Sequence, residues 1–335
     1  MGDMCPRAPI TTAPHALRLE YTIQYKNNMT ALQIKAEITA NLSSSGYLTV
    51  VHVDFSSFES IERCAEKVKR YVPHLDGLFN NIAAELCERE ITKNDMEYVQ
   101  QVSAIGHLTL TQLLLPALTT ACGRVVSISS ILSKTSGSPN VDEISYVRET
   151  YKDVQAYSRS KLLISIITLK LAQRSSDIRF FSTDPGITEM PLWSIFTTFF
   201  FSQNGPYFLQ TLCSKMHRTV GISPTQAALR VIALGFSPMF DKYSGGHLHN
   251  YCFCEVHPMM KELEKIDDIW NAIKEKLSDA RFFCDRVPSL MDLQDVDLDK
   301  KKKSGEDSQD EFELRKGLKK RFISSKNLFV RQKDP

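Results

Sequence analysis

Two short apolar runs that end in small polar residues, joined by a long helical segment, constrain this chain more than any other feature. Gly123-Arg124-Val125-Val126-Ser127-Ile128-Ser129-Ser130 reads as a buried strand ending in hydroxyls. Ile178-Arg179-Phe180-Phe181-Ser182-Thr183-Asp184-Pro185-Gly186 reads as a second strand closing on a turn. The segment around Tyr157, reaching to about Ser175, has helical character. Parallel strands need a crossover of a dozen or more residues, usually a helix. Strand, long helix, strand therefore predicts a parallel sheet and an α/β fold.

The helix carries the chemistry. Tyr157 and Lys161 in Gln155-Ala156-Tyr157-Ser158-Arg159-Ser160-Lys161-Leu162 lie one turn apart on the same helix face. An ammonium near a phenol favours the phenolate and lowers a tyrosine pKa that is otherwise about 10. Such a tyrosine exchanges a proton with a carbinol oxygen near neutral pH. An ordinary i,i+4 surface contact would have the same spacing; the flanking strand ends give the pair its significance.

The rest of the chain extends the α/β alternation. Strand patterns occur at Leu19–Tyr25, from Tyr47 into Asp54, at Leu75–Ala83 and over 246–254. Helical patterns run over Thr30–Leu42, Phe58–Tyr71, Asn94–Leu118 and 258–277. Ser56 or Ser57 is placed to cap the second of these. Ser223 and Pro224 open a further helix as cap and first residue. The expected organisation is an irregular segment over 1–17, one domain over 18–288 and a charged, disordered tail over 289–335. The tail's runs Lys300–Lys303 and Arg315–Arg321 leave a nuclear or membrane-surface role open.

A formal net charge of +2 gives no reason to expect a nucleic-acid partner. The eight scattered cysteines read as reduced thiols of an intracellular, cytoplasmic protein rather than a disulfide framework. Cys252 and Cys254 near His247, His249 and His257 match no zinc signature, so no metal is expected. No signal peptide is expected, since no apolar run follows the first basic residues. The apolar stretch 192–201 is too short to span a bilayer. It leaves open a peripheral membrane contact, and a homo-oligomer is likewise open.

Ser130, the Tyr157/Lys161 helix and the Pro185-Gly186 turn together resemble the short-chain dehydrogenase/reductase family over roughly residues 20 to 285. Within it, the helix motif and the late Gly245–Cys254 run are most similar to the retinol-dehydrogenase and WW-domain-oxidoreductase group. The resemblance implies a doubly wound, mostly parallel Rossmann-like sheet and a nicotinamide cofactor, NADP or NAD. It casts Tyr157 as acid/base, Lys161 as its pKa depressant and ribose ligand, and Ser130, with Ser129 as the alternative, as the residue that polarises the substrate oxygen. It assigns Asp54 to the adenine, Asn80 and Ile82 to the adenosine ribose, and Pro185, Gly186 and Ile187 to the nicotinamide amide. Lys26 falls where related NADP users carry an arginine, a slight tilt toward NADP. The implied substrate is an apolar alcohol or ketone such as a retinoid, steroid or other lipid, to which the aromatic-rich stretch 192–210 would be suited.

Three departures bear on activity. The family's first strand, glycine-rich turn and helix are not visible, for Gly2 is the sole glycine before Gly46. Ser103 stands at the position of the family's catalytic asparagine. Ile82 and Ala83 replace smaller residues beside the cofactor. Two readings follow: an NAD(P)-dependent oxidoreductase, or a catalytically lapsed or truncated relative acting as a binding or scaffold protein.

Overall fold

The computed structural model describes residues 19–22, 36, 40, 48–84, 86–137, 151–186, 221–279, 282, 283 and 287–289. Chain contacts divide the protein into two compact units, Met1–Ser289 and Leu290–Pro335, and all described residues belong to the first.

Among the described residues, seven strands and five principal helices occur in the order β1 (Leu19–Thr22), β2 (Leu48–Val51), α1 (Phe58–Tyr71), β3 (Gly77–Asn80), α2 (Tyr98–Thr120), β4 (Arg124–Ile128), α3 (Asp153–Gln173), β5 (Arg179–Asp184), α4 (Pro224–Phe236), β6 (His247–His249), β7 (Cys252–Phe253) and α5 (Leu263–Asp279). β3, β4, β5 and β6 pair in parallel, in that order, and β7 closes the sheet antiparallel. β1 and β2 form a separate parallel pair. Among the described residues no strand joins the two sheets, and β3 is an edge strand. The Rossmann-like, mostly parallel architecture is therefore present, with the sheet interrupted where an altered first strand was expected.

Side-chain alternation along a strand decides which helices cover which face. Val125 on β4 and Phe180 on β5 enter a large core with Ile61, Leu108, Leu114, Ile164, Ile166 and Trp270. Their neighbours Val126, Ile128 and Phe181 face the other way, into a smaller core with Leu234, Phe240 and Leu248. α1 buries Phe58, Ile61, Cys64, Ala65 and Val68, the 3–4 spacing of one helix face. Ser57, not Ser56, caps it, accepting from the Ser60 amide.

Two boundaries differ from the sequence reading. α2 begins at Tyr98 rather than Asn94. Asp95 takes a left-handed φ of 57°, and the Glu97 carboxylate caps the helix by accepting from the Val99 and Gln100 amides. α2 is long and apolar enough to cross a membrane, yet 89% of that apolar window is buried in the core. The strand expected over 246–254 is a hairpin, because Asn250 and Tyr251 both have positive φ (49° and 64°), the twist that suits a two-residue turn. Of the helix expected over 30–42, only Ala36 and Ala40 are described, and both are helical.

A further correction concerns cysteine. Cys64, Cys87, Cys252 and Cys254 are not in disulfides, but Cys122 is disulfide-bonded. Spacing along the chain does not report which thiols the fold brings within bonding distance.

Arg124, buried at the start of β4, joins the second core to the α4 end. Its Nη1 donates to the carbonyls of Leu234 (3.1 Å) and Ser237 (2.6 Å), and Nη2 pairs with Asp241 at 2.5 Å. The guanidinium thus satisfies carbonyls that a helix C-terminus leaves without partners. Arg124→Leu should lower stability by about 3 kcal/mol, because a mostly buried carboxylate and two carbonyls lose their cation. Urea denaturation followed by circular dichroism checks this; a loss below about 1 kcal/mol would show the pair to be dispensable.

Candidate active site

The described candidate residues gather where β4 and β5 end and α3 begins its second turn. Lys161 is 2% exposed, and its Nζ donates to the Ile128 carbonyl at 2.9 Å. Ser129 Oγ donates to the Lys161 carbonyl at 2.8 Å. These two bonds fix the register of α3 on the end of β4. Tyr157, one turn earlier and 7% exposed, then lies with its ring centroid 5.4 Å from Lys161 Nζ. Ser130 neighbours the phenol and lowers its pKa, and its Oγ accepts from the Leu132 amide at 3.3 Å. Of the two serines, Ser130 therefore meets the phenol, while Ser129 serves the helix backbone.

Electrostatics run against the expectation that Lys161 lowers the Tyr157 pKa. Burial pushes the phenol up to about 12; the Ser130 hydrogen bond lowers it, and the Asp184 charge adds to the rise. Lys161 falls to about 8, mainly through burial, with Asp184 acting in the opposite direction. Desolvation of both groups outweighs their mutual proximity. The result is a protonated phenol beside an amine that is easily made neutral.

Asp184 is a site residue that the sequence reading missed. It ends β5 just before Pro185, and its Oδ1 accepts from the Gly186 amide at 3.0 Å. Its Oδ2 lies 3.1 Å from His249 Nδ1. An acid at a strand end beside a Pro-Gly turn was the available signal. Gly186 needs its glycine: φ is +103°, and a Cβ there would meet Arg230 Nη1 at 2.9 Å. Arg230 also donates to the Pro185 carbonyl at 3.0 Å.

The remaining expected ligands are more scattered. Asp54 Oδ1 accepts from the Ser56 amide and hydroxyl (2.9 and 2.6 Å) and lines an open cleft of about 520 Å³ with His52, Arg63, Lys67 and Thr92. Asn80 turns inward, donating to Thr111 (3.3 Å) and Ser127 (3.2 Å). Ile82 packs, partly buried, against the main core. Ser103 sits in a π-helical turn, Gln101–Ile105, of α2, and its Oγ accepts from the Ala84 amide at 2.9 Å. Lys26, Ile187 and the stretch 192–210 lie outside the described residues. No cluster of three or more metal-ligating side chains occurs among the described residues.

A short chain dehydrogenase family model matches residues 15–196. Human retinol dehydrogenase 13 is 31% identical over 144 residues, 42% of this chain and 43% of that protein. The WW domain-containing oxidoreductase of Drosophila melanogaster is 28% identical over 225 residues, 65% of this chain and 52% of that protein. The chain thus spans about half the length of these relatives. Among solved structures, an actinorhodin polyketide ketoreductase with NADPH superposes with a TM-score of 0.53 at 16% identity, covering 70% of this chain and 86% of that one.

Buried neutral histidines predict acid sensitivity. His107 is lowered to about 3 by burial and then by Lys161, and His247 to about 4, first by burial. Both are depressed below the usual value near 6.5. Their neutral burial therefore leaves stability intact above pH 6.5, and stability falls as pH drops below it, because the unfolded chain binds protons that the fold excludes. Each should cost roughly 1.4 kcal/mol per pH unit. Urea midpoints between pH 7 and 5.5 should decline, with a shallower slope in His107→Gln; equal slopes would mean that His107 takes up a proton in the folded state.

Proposed function

Because this chain belongs to the short-chain dehydrogenase family, we propose that it is an NAD(P)-dependent oxidoreductase interconverting an alcohol and a ketone or aldehyde. The observation that carries this reading is the convergence of Ser130, Tyr157 and Lys161 at the carboxyl edge of β4 and β5. A bound nicotinamide would supply or accept the hydride. Tyr157, kept protonated by burial, gives its phenolic proton to the carbonyl oxygen, and the Ser130 hydroxyl polarises the same oxygen. Lys161 supplies positive charge beside the phenolate this leaves. A phenol held at about 12 is protonated at neutral pH, the form that the reductive direction uses.

The residues fit the two halves of such a cofactor unequally. At the nicotinamide end, Gly186 leaves backbone uncovered by any Cβ, beside the Tyr157 cluster. At the pyrophosphate end, the stretch between Gly2 and Gly46 holds no glycine to bring backbone amides against phosphate. Lys26 keeps the slight tilt toward NADP. An apolar substrate is supported by the relatives named retinol dehydrogenase and by the aromatic-rich stretch 192–210.

The commitment of the Ser103 oxygen to a backbone amide favours a second reading, a catalytically lapsed member that binds a partner. Titration with NADPH and NADH, followed by intrinsic fluorescence, separates the two. Micromolar binding is expected of the enzyme, somewhat tighter for NADPH; no response at millimolar cofactor would leave the second reading standing. Tyr157→Phe should cut turnover a hundred-fold or more, on the order of a lost general acid, with an unchanged melting curve. Undiminished turnover would move the proton donor elsewhere.

A further inference from the structure

Asp184 and His249 face one another in register across β5 and β6, two pairs beyond Ser182 and His247, whose side chains meet at 3.0 Å. The inner pair is buried. In the outer pair the Asp184 side chain is 8% exposed and that of His249 is 45% exposed. Both carboxylate oxygens are occupied, one by the Gly186 amide and one by the imidazole. Asp184 is thus a fixed negative charge anchored to the turn that follows β5. Lys161 Nζ donates to the Ile128 carbonyl, and Ile128 is paired in register with Thr183, the residue before Asp184, so the anion ends the strand next to the one that holds the amine.

We propose that Asp184, held by His249, is a positioning residue that sets the proton balance of the Tyr157/Lys161 pair, keeping the phenol protonated and the amine charged. This rests on the oxidoreductase reading just given. A nearby anion disfavours a phenolate and favours an ammonium, and Asp184 acts on both groups in those directions. Other ionisable groups lie nearby among the described residues: His107, buried and neutral, feels Lys161. Lys134, from the turn after Ser130, acts on His247 and Cys254. Cys252 and Cys254 lie across the hairpin on and just after β7, with Cys254 feeling Asp184 as well. Arg230 of α4 is engaged with the Pro185 carbonyl. Asp184 therefore opposes what burial does to Lys161 and reinforces what burial does to Tyr157. The consequence is a pair that keeps both of its protons at neutral pH.

The test follows Lys161 itself in the full chain without cofactor. Lysine side chains are labelled with ¹³C at Cε and titrated by NMR from pH 6 to 10, the Lys161 signal being assigned by its loss in Lys161→Met. Asp184→Asn keeps the shape and an acceptor for the Gly186 amide but removes the charge, so the Lys161 midpoint should fall by about one pH unit. Asp184→Glu, which keeps the charge, should stay near wild type. If Asp184→Asn does not fold, His249→Arg at the partly exposed position supplies a permanent cation to Oδ2 and should move Lys161 in the same downward direction. A midpoint unchanged in a folded Asp184→Asn, or unchanged in His249→Arg, overturns the proposal. The titration needs no nicotinamide, so absence of turnover in a separate assay with NADPH or NADH would defeat the oxidoreductase reading while leaving the lysine shift as an independent result.

Discussion

The structure around the candidate site depends on two hydrogen bonds that lock α3 to the end of β4: Lys161 Nζ to the Ile128 carbonyl and Ser129 Oγ to the Lys161 carbonyl. Taking an ammonium out of water is costly. The fold tolerates it because the amine meets a strand-end carbonyl and lies near Asp184. Sliding α3 by one residue would break both bonds and turn Tyr157 away from Ser130. The lysine is thus a structural pin as well as a candidate for chemistry, and the phenol inherits its position from it.

Burial, rather than proximity, governs the charge states of this cluster. Helical spacing alone argues for a lysine that makes its tyrosine more acidic. In the fold both side chains are so far removed from water that the neutral form gains in each, raising the phenol and lowering the amine. Asp184 then decides how far each moves. The same desolvation holds His107 neutral between α2 and the sheet. In such a site the phenol keeps its proton and the imidazole stays neutral.

The alternation of the strands was legible in the residues. Val125 beside Val126, and Phe180 beside Phe181, mark strands buried on both faces, and helices cover both. Caps were legible too: Ser223 closes a capping box with Gln226, as its spacing suggested. The start of α2 was not, because it turns on Asp95 adopting a left-handed backbone and on a glutamate acting as cap. The hairpin after β6 was hidden for a similar reason, since Asn250 and Tyr251 do not carry the glycine that usually announces such a turn. Nor could spacing reveal that Cys122 is paired.

The sequence by itself determined the α/β class, the order of strands and helices through the middle of the chain, and the one-turn separation of Tyr157 and Lys161. These follow from local rules: side-chain period, crossover length and helical pitch. It also narrowed the hydroxyl to Ser129 or Ser130 and exposed the lack of glycines before Gly46. Only the tertiary structure decided which serine meets the phenol, that Asp184 and His249 join the site from neighbouring strands, and that Asn80 and Ser103 spend their polar atoms inside the fold. Those outcomes depend on contacts between residues far apart in the chain and on how much water each group loses. Neither quantity is written in a local pattern.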